Sequence, residues 1–241
     1  MKPILVIRTG RAPETIRARH GDFPHWFRLG ADLAPARLRC IDVEHGEALP
    51  APDASAGAII TGSGAMVTDR AEWSERTAAW LRAAMDAGLP LFGVCFGHQL
   101  LAHALGGRVD YLPGGREIGT QAITLTEAGQ GDPLAGGFGP AFRAHTTHEQ
   151  SVLEAPPGST VLARSARDPN QMLRYGPNAL STQFHPEFSA EVMRAYVRRM
   201  AATMRAEGSD PETTFASVAA TPAARRLLRG FARRHGWANS P

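Results

Sequence analysis

Three short, unbroken apolar runs constrain this chain more than any other feature. Pro3-Ile4-Leu5-Val6-Ile7 ends near Thr9-Gly10, Ala58-Ile59-Ile60 ends in Thr61-Gly62-Ser63-Gly64, and Leu89–Val94 ends at Cys95. A run with no polar alternation and a turn at its end reads as a strand covered on both faces, as in a parallel sheet. Leu38–Val43 is a fourth strand candidate of more mixed character. Helical spacing separates the runs. Trp73, Trp80, Leu81, Ala84 and Met85 recur along one face and Gly88 closes that segment, while Gly97–Leu105 is stopped by Gly106-Gly107. Strands alternating with helices of this length are βαβ units, so the expected fold is α/β with a doubly wound, mostly parallel sheet.

The second half changes character. Gln121–Thr126, Phe142–His145, Thr160–Ala163, Met172–Tyr175 and Leu180–Phe184 read as short strands with Gly/Pro turns, an antiparallel extension plus the last core strand. Ser189 caps an expected helix running to about Glu207, with Val192, Met193, Tyr196, Val197, Met200 and Met204 on one face. Gly208-Ser209-Asp210-Pro211 reads as a linker before a C-terminal helical tail. The expected division is therefore residues 1–207 as one domain and 208–241 as a helical extension.

Charge excludes a simple reading. The chain carries 26 basic and 23 acidic residues, net +3, which suggests an acidic partner such as nucleic acid. Yet residues 222–241 hold Arg225, Arg226, Arg229, Arg233 and Arg234 and no acid. Removing those five leaves 21 basic against 23 acidic groups in residues 1–221, a balance of −2. Of all basic residues only Lys2 is a lysine, a bias that fits a GC-rich genome. No apolar run reaches the roughly 18 residues of a membrane span, and the N-terminal run is too short for a secretory signal. Two cysteines are not a disulfide framework. These readings place the protein in the cytoplasm with no nucleic-acid or membrane partner. They set no oligomeric state.

The chemistry concentrates in two places. In Gly93-Val94-Cys95-Phe96-Gly97 a cysteine sits between a buried strand and a helix. A nucleophile there stands on a tight turn, glycines give it room, and the helix N-terminus favours a thiolate. A buried, inert cysteine is the alternative for that motif alone. In Gln183-Phe184-His185-Pro186-Glu187, residues two apart on a strand end face one side, so Glu187 can orient His185 as base to a thiol. The alternative is a turn with a solvated Glu. Both motifs lie at the carboxyl ends of expected strands, where open α/β sheets collect ligands.

Together, Gly93–Leu101 and Gln183–Glu187 resemble the two signature motifs of class I (triad) glutamine amidotransferases, most nearly the glutaminase domain of GMP synthase and its stand-alone relatives. Thr61–Gly64, Glu117-Ile118-Gly119 and His148–Val152 support the likeness, which covers roughly residues 3–200. The resemblance implies a flavodoxin-like fold and a Cys95–His185–Glu187 triad. It implies an oxyanion hole from the N–H groups of Phe96 and of Ser63 or a neighbour. It also implies substrate contacts from Gly62, Gly64, Gln99, His148 and Gln150. This chain has Gly62-Ser63-Gly64 where the family often has Gly-Gly-Pro, and His148-Glu149-Gln150 where GMP-synthase domains often have His-Gly-Asp.

The implied reaction is hydrolysis of L-glutamine through a cysteine γ-glutamyl thioester, with no cofactor and no metal. The histidine pairs His98/His103 and His145/His148 each lack a clustered ligand set. About 40 residues remain outside the likeness and there is no phosphate-binding G-x-x-x-x-G-K-[ST] loop, so the acceptor site of a synthase would lie on a separate synthase subunit. The other readings are a γ-glutamyl peptidase and a catalytically idle binding module. Residues 10–30 (Arg11, Arg17, Arg19, His20, Asp22, His25, Trp26) are expected to form either a lid or partner contact, or an ordinary surface insertion. The arginine-rich terminal helix is expected to pack its Leu/Phe face on the core, with an acidic or membrane surface as the alternative.

Overall fold

The structure is a computed structural model and describes residues 2–238. In chain order its strands are β1 (Ile4–Arg8), β2 (Leu38–Asp42), β3 (Gly57–Ile60), β4 (Leu91–Val94), β5 (Arg108–Tyr111), β6 (Glu117–Leu125), β7 (Ala141–His148), β8 (Gln150–Glu154), β9 (Thr160–Arg164), β10 (Met172–Arg174) and β11 (Ala179–Thr182). Its α-helices are α1 (Glu14–His20), α2 (Phe23–Ala31), α3 (Glu72–Asp86), α4 (Phe96–Ala104), α5 (Glu127–Gln130), α6 (Ala190–Ala206), α7 (Pro211–Ser217) and α8 (Pro222–Arg234).

The apolar runs became the centre of a nine-stranded sheet of order β2-β1-β3-β4-β11-β10-β9-β6-β7. Strands β2, β1, β3, β4 and β11 are mutually parallel. The remainder runs antiparallel from β11 outward, as the change of character in the second half implies. Because side chains alternate across a strand, neighbouring residues serve two cores. Ile4, Ile59 and Phe92 pack with α2 and α8, whereas Leu5, Ile60 and Leu91 pack with α3 and α4. Burial on both sides explains why these strands lack polar alternation.

Several boundaries differ from expectation for physical reasons. β6 and β7 extend beyond 121–126 and 142–145 because eight consecutive residues of each pair in one antiparallel ladder, from Glu117↔His148 to Thr124↔Ala141. β5 and β8 form a separate two-stranded sheet that the sequence did not suggest. The segment 208–211 is not simply a linker. The Asp210 side chain accepts from the N–H groups of Glu212 and Thr213 and Pro211 opens α7, an N-cap followed by N1 proline. Ser189 caps α6 as expected, accepting from Val192 N–H.

Residues 10–30 are not a loose surface insertion. They fold into α1 and α2, with Phe23, Trp26 and Phe27 buried in the main core. Helix α8 packs Ala224, Leu227, Leu228 and Phe231 into that same core, and Trp237 follows them. Its arginines are not all solvated: Arg229 donates to the Gly30 carbonyl at 3.1 Å, and Arg226 lies 5.5 Å above the Phe138 ring. Among the described residues no helix is long and apolar enough to cross a membrane.

Candidate active site

The parallel strands end on one edge of the sheet, and the next residues form the site. Cys95 joins β4 to α4 with φ 53° and ψ −106°, a conformation rare for a residue with a side chain. Holding it costs about 1–3 kcal/mol, and the surroundings fix it. The Cys95 N–H donates to the Thr182 carbonyl at 2.9 Å and the Gly97 N–H to the Thr61 carbonyl at 3.1 Å. A Cβ on Gly93 would lie 2.6 Å from the Gly97 carbonyl oxygen, and one on Gly97 2.4 Å from that of Ile60. Both glycines are therefore required by close backbone approach. Phe96 is the first residue of α4, so its N–H is among the donors a helix leaves unpaired at its start.

β11 stops at Thr182, so His185 and Glu187 lie in the turn beyond it, not on a continuing strand. The His185 N–H is tied to the His145 carbonyl at 2.8 Å. Its ring Nδ1 meets Glu187 Oε1 at 2.7 Å, with both side chains buried. Nε2 is buried without a hydrogen-bond partner among the described residues. Phe188 stacks on the imidazole at 4.0 Å between ring centroids and Tyr196 stacks on Phe188 at 5.1 Å. Burial alone would discharge this histidine; the charges of Glu187 and Cys95 outweigh it and push its pKa up to about 10. Cys95 is 6% exposed, its Sγ 4.0 Å from the Thr147 carbonyl.

Cys95 opens into a cavity of about 320 Å³. One wall carries Ser63 and Gly64 from the loop after β3, and Gln99, Thr147, His148, Glu149 and Gln150 line the cavity as well. The strand ends below are clasped by hydroxyls: Thr9 N–H donates to Thr61 Oγ1 at 3.1 Å and Thr9 Oγ1 to the Gly62 carbonyl at 3.2 Å. Gly62 lies beneath His185, where an added Cβ would stand 3.1 Å from its Cε1.

Three polar residues expected at the substrate are tied up internally. Gln99 Nε2 donates to the Gln150 carbonyl at 2.7 Å and to Gln183 Oε1 at 2.9 Å. Gln150 Nε2 donates to Thr68 Oγ1 at 2.6 Å, leaving its buried Oε1 without a partner among the described residues. His148 meets the Gln150 carbonyl through Nδ1 at 2.9 Å and Glu117 Oε2 through Nε2 at 3.0 Å. Glu117 also accepts from Gln171 and Ser165 at 2.7 and 2.6 Å.

Sequence reading missed other lining residues. Arg11, Pro13 and Phe23 come from the 10–30 segment, Tyr196 and Arg199 from α6, and Arg116 from the residue before β6. Arg116 pairs with Glu149 and Glu207. The sequence puts Tyr196 on the apolar face of α6 and Arg11 in a segment with a lid among its alternatives, assigning neither to the substrate, and nothing local foretells an ion pair between residues 33 apart. Among the described residues, one group of carboxylate and imidazole atoms is compact enough for a metal, Asp42, Glu44 and His45. It stands apart from the histidine pairs considered above, and Asp42 is already bound to Arg8 and Arg11.

A cysteine on a strand–helix elbow at the carboxyl edge of a parallel sheet, facing a buried histidine–carboxylate pair, has the geometry of thiol-dependent α/β enzymes. The class-I glutamine amidotransferase family model matches residues 41–202, and the chain belongs to that family. A similar curated protein is γ-glutamyl peptidase 5 of Arabidopsis thaliana, 30% identical over 146 residues, or 60% of this chain and 58% of that one. One subunit of the glutamine-hydrolysing GMP synthase of Ignicoccus hospitalis is 41% identical over 100 residues, or 41% of this chain and 50% of that one. The chain thus spans between half and three-fifths of the length of these two relatives. A glutamine amidotransferase from Thermotoga maritima shares the fold, with a TM-score of 0.77 over 98% of both chains at 20% identity.

Proposed function

We propose that the protein hydrolyses the γ-amide of L-glutamine through a Cys95 thioester. The observation that carries this reading is the strained elbow of Cys95 beside a histidine whose Nδ1 is held by Glu187 at 2.7 Å. Cys95 Sγ passes its proton to His185 Nε2 and attacks the γ-carbonyl carbon, and a C–S bond forms as the carbonyl electrons move onto oxygen. The N–H of Phe96 and that of Ser63 or a neighbour receive the oxyanion; such donors are each worth about 10²–10³ in rate. Collapse breaks the C–N bond, and His185 Nε2–H gives its proton to departing ammonia. His185 then takes a proton from water, which cleaves the thioester to glutamate. Glu187 keeps the ring oriented and stabilises its charged form. Gly62, Gly64, Gln99, His148 and Gln150 shape the wall against the substrate.

In this reading residues 1–207 form the amidotransferase unit and 208–241 a helical extension. Where ammonia serves a synthesis, its acceptor site lies outside these 241 residues. A second reading, a γ-glutamyl peptidase, is favoured by the likeness to the Arabidopsis peptidases. The test is glutamate release from L-glutamine and from γ-glutamyl dipeptides by the wild type and by Cys95→Ala. Release from glutamine that Cys95→Ala abolishes supports the first reading. Release from dipeptides alone selects the second. Release from neither, with Cys95 inert to a glutamine-like alkylator, leaves an idle module.

A further inference from the structure

The cavity in front of Cys95 is unevenly charged. Three guanidinium groups line it, Arg11, Arg116 and Arg199. Two are already answered: Arg11 lies 3.0 Å from Asp42, and Arg116 is held between Glu149 and Glu207. Arg199 is not. Its neighbours along α6 are engaged, Arg194 with Glu191, Arg198 over the Phe215 ring and Arg205 with Glu212. Arg199 is exposed and lines the cavity, and water is its partner: it has neither a carboxylate nor a hydrogen-bond partner among the described residues. One helical turn before it, Tyr196 also lines the cavity, and its hydroxyl too has no partner among the described residues. Residues three apart on a helix share a face, so a phenol and a guanidinium address the same space. Burial, then the charges of Glu187, Cys95 and Asp22, raise the Tyr196 pKa, which keeps the phenol a hydrogen-bond donor.

The cavity also holds a different kind of polar unit. Arg116 and Glu149 form a cation beside an anion, complementary to the zwitterionic head of an α-amino acid. L-Glutamine has that head and no other charge. A neutral zwitterion thus leaves Arg199 unanswered in a cavity whose only acidic lining residue, among those described, is Glu149. A γ-glutamyl peptide has the same head and a second carboxylate on its leaving group.

We infer that Tyr196 and Arg199 form a carboxylate subsite that selects γ-glutamyl compounds whose leaving amine bears a free carboxylate. The inference rests on the thiol chemistry proposed above and deepens its second reading, the γ-glutamyl peptidase. Arg199 binds the leaving-group carboxylate through charge-assisted N–H donors, Tyr196 adds an O–H donor, and neither takes part in bond making. With such a substrate the bond broken is the γ-glutamyl amide C–N bond. His185 protonates the departing amine, and water releases glutamate from Cys95.

The decisive pair of substrates is γ-glutamylglycine and γ-glutamylglycinamide, which differ only in that carboxylate. The wild type is expected to favour the acid by about tenfold in kcat/KM, the lower end of what a charge-assisted hydrogen bond supplies. In Arg199→Gln that ratio falls toward one, mostly through a higher KM for the acid, while Arg199→Lys restores part of it. Equal rates for the two substrates in the wild type, or a ratio unchanged in Arg199→Gln, overturns the subsite. Failure of the parent reading looks different: no γ-glutamyl compound is turned over, or Cys95→Ala remains active. The subsite is then judged by calorimetric binding of the same two compounds to Cys95→Ala, with and without Arg199→Gln. A preference for the acid that depends on Arg199 supports it, and equal binding refutes it.

Discussion

Among the described residues are two buried histidine–glutamate pairs, both at the edge of one cavity. In His185–Glu187 the carboxylate takes Nδ1 and leaves Nε2 without a hydrogen-bond partner among the described residues. In His148–Glu117 the carboxylate takes Nε2 and the Gln150 carbonyl takes Nδ1. Both ring nitrogens of His148 therefore have a partner inside the protein. The two pairs share chemistry and burial and differ in what faces the second nitrogen. In the proposed mechanism that difference separates a histidine that moves protons from one that ties strands together.

The comparison breaks most visibly at His185. His185→Asn is expected to lower kcat for glutamate release by about 10³–10⁴-fold or more, with the fold intact by circular dichroism. Glu187→Gln keeps the shape but removes the charge that holds the ring, and a loss of about 10²–10⁴-fold is expected. Glu117→Gln should act in the other currency. Breaking a buried pair that also serves Gln171 and Ser165 is expected to cost about 3–5 kcal/mol, read from the urea midpoint. Its kcat at a temperature where the variant is folded should fall by roughly tenfold or less, under about 1.4 kcal/mol of barrier. A Glu117→Gln enzyme that is stable but inactive would erase the distinction between the pairs.

The smallest effects are slopes with pH. The folded pKa of His185 is raised, so its contribution to stability is fully present below its ordinary 6.5 and is lost as pH rises through about 10. His145 behaves oppositely. Burial, reinforced by the charge of His185, lowers its pKa to about 3, so its contribution is present above 6.5 and fades as pH falls toward 3. Urea midpoints measured against pH should therefore show a shallower acid limb for His145→Gln and a shallower alkaline limb for His185→Asn than for the wild type.

The two pairs also mark what a sequence can reveal. His185 and Glu187 are two residues apart at the end of a strand, so one motif carries both. Gly93–Gly97 similarly carries its elbow, because the close contacts of Gly93 and Gly97 are made to the turn itself and to the neighbouring strand. Glu117 and His148 meet only because β6 and β7 pair in one particular register, and a shift of one residue would turn them apart. Arg116–Glu149 lies beside that register and is equally invisible. The parallel half of the sheet was legible because burial on both faces erases polar alternation. The strand limits of the antiparallel half were not, because pairing partners rather than composition set them. The sequence leaves the 10–30 segment open between a lid or partner contact and a surface insertion, because its apolar residues are spread over two short helices; in the structure Phe23 reaches the site and Trp26 the core.

Helix α8 finally bears on when the site exists at all. Arg225 on this helix reaches toward the Glu187 carbonyl at 3.4 Å, and Leu228 packs against Gly30, which itself abuts Glu187. Trp237 covers the start of β3. During synthesis Cys95 emerges more than a hundred residues before these supports. The thiol is made early, and the turn that would arm it is braced only after residues 222–237 have joined the core. In the proposed mechanism a nascent chain thus carries its nucleophile unarmed, and clipping ahead of Pro222 is expected to disarm the finished protein without touching a residue of the proposed triad.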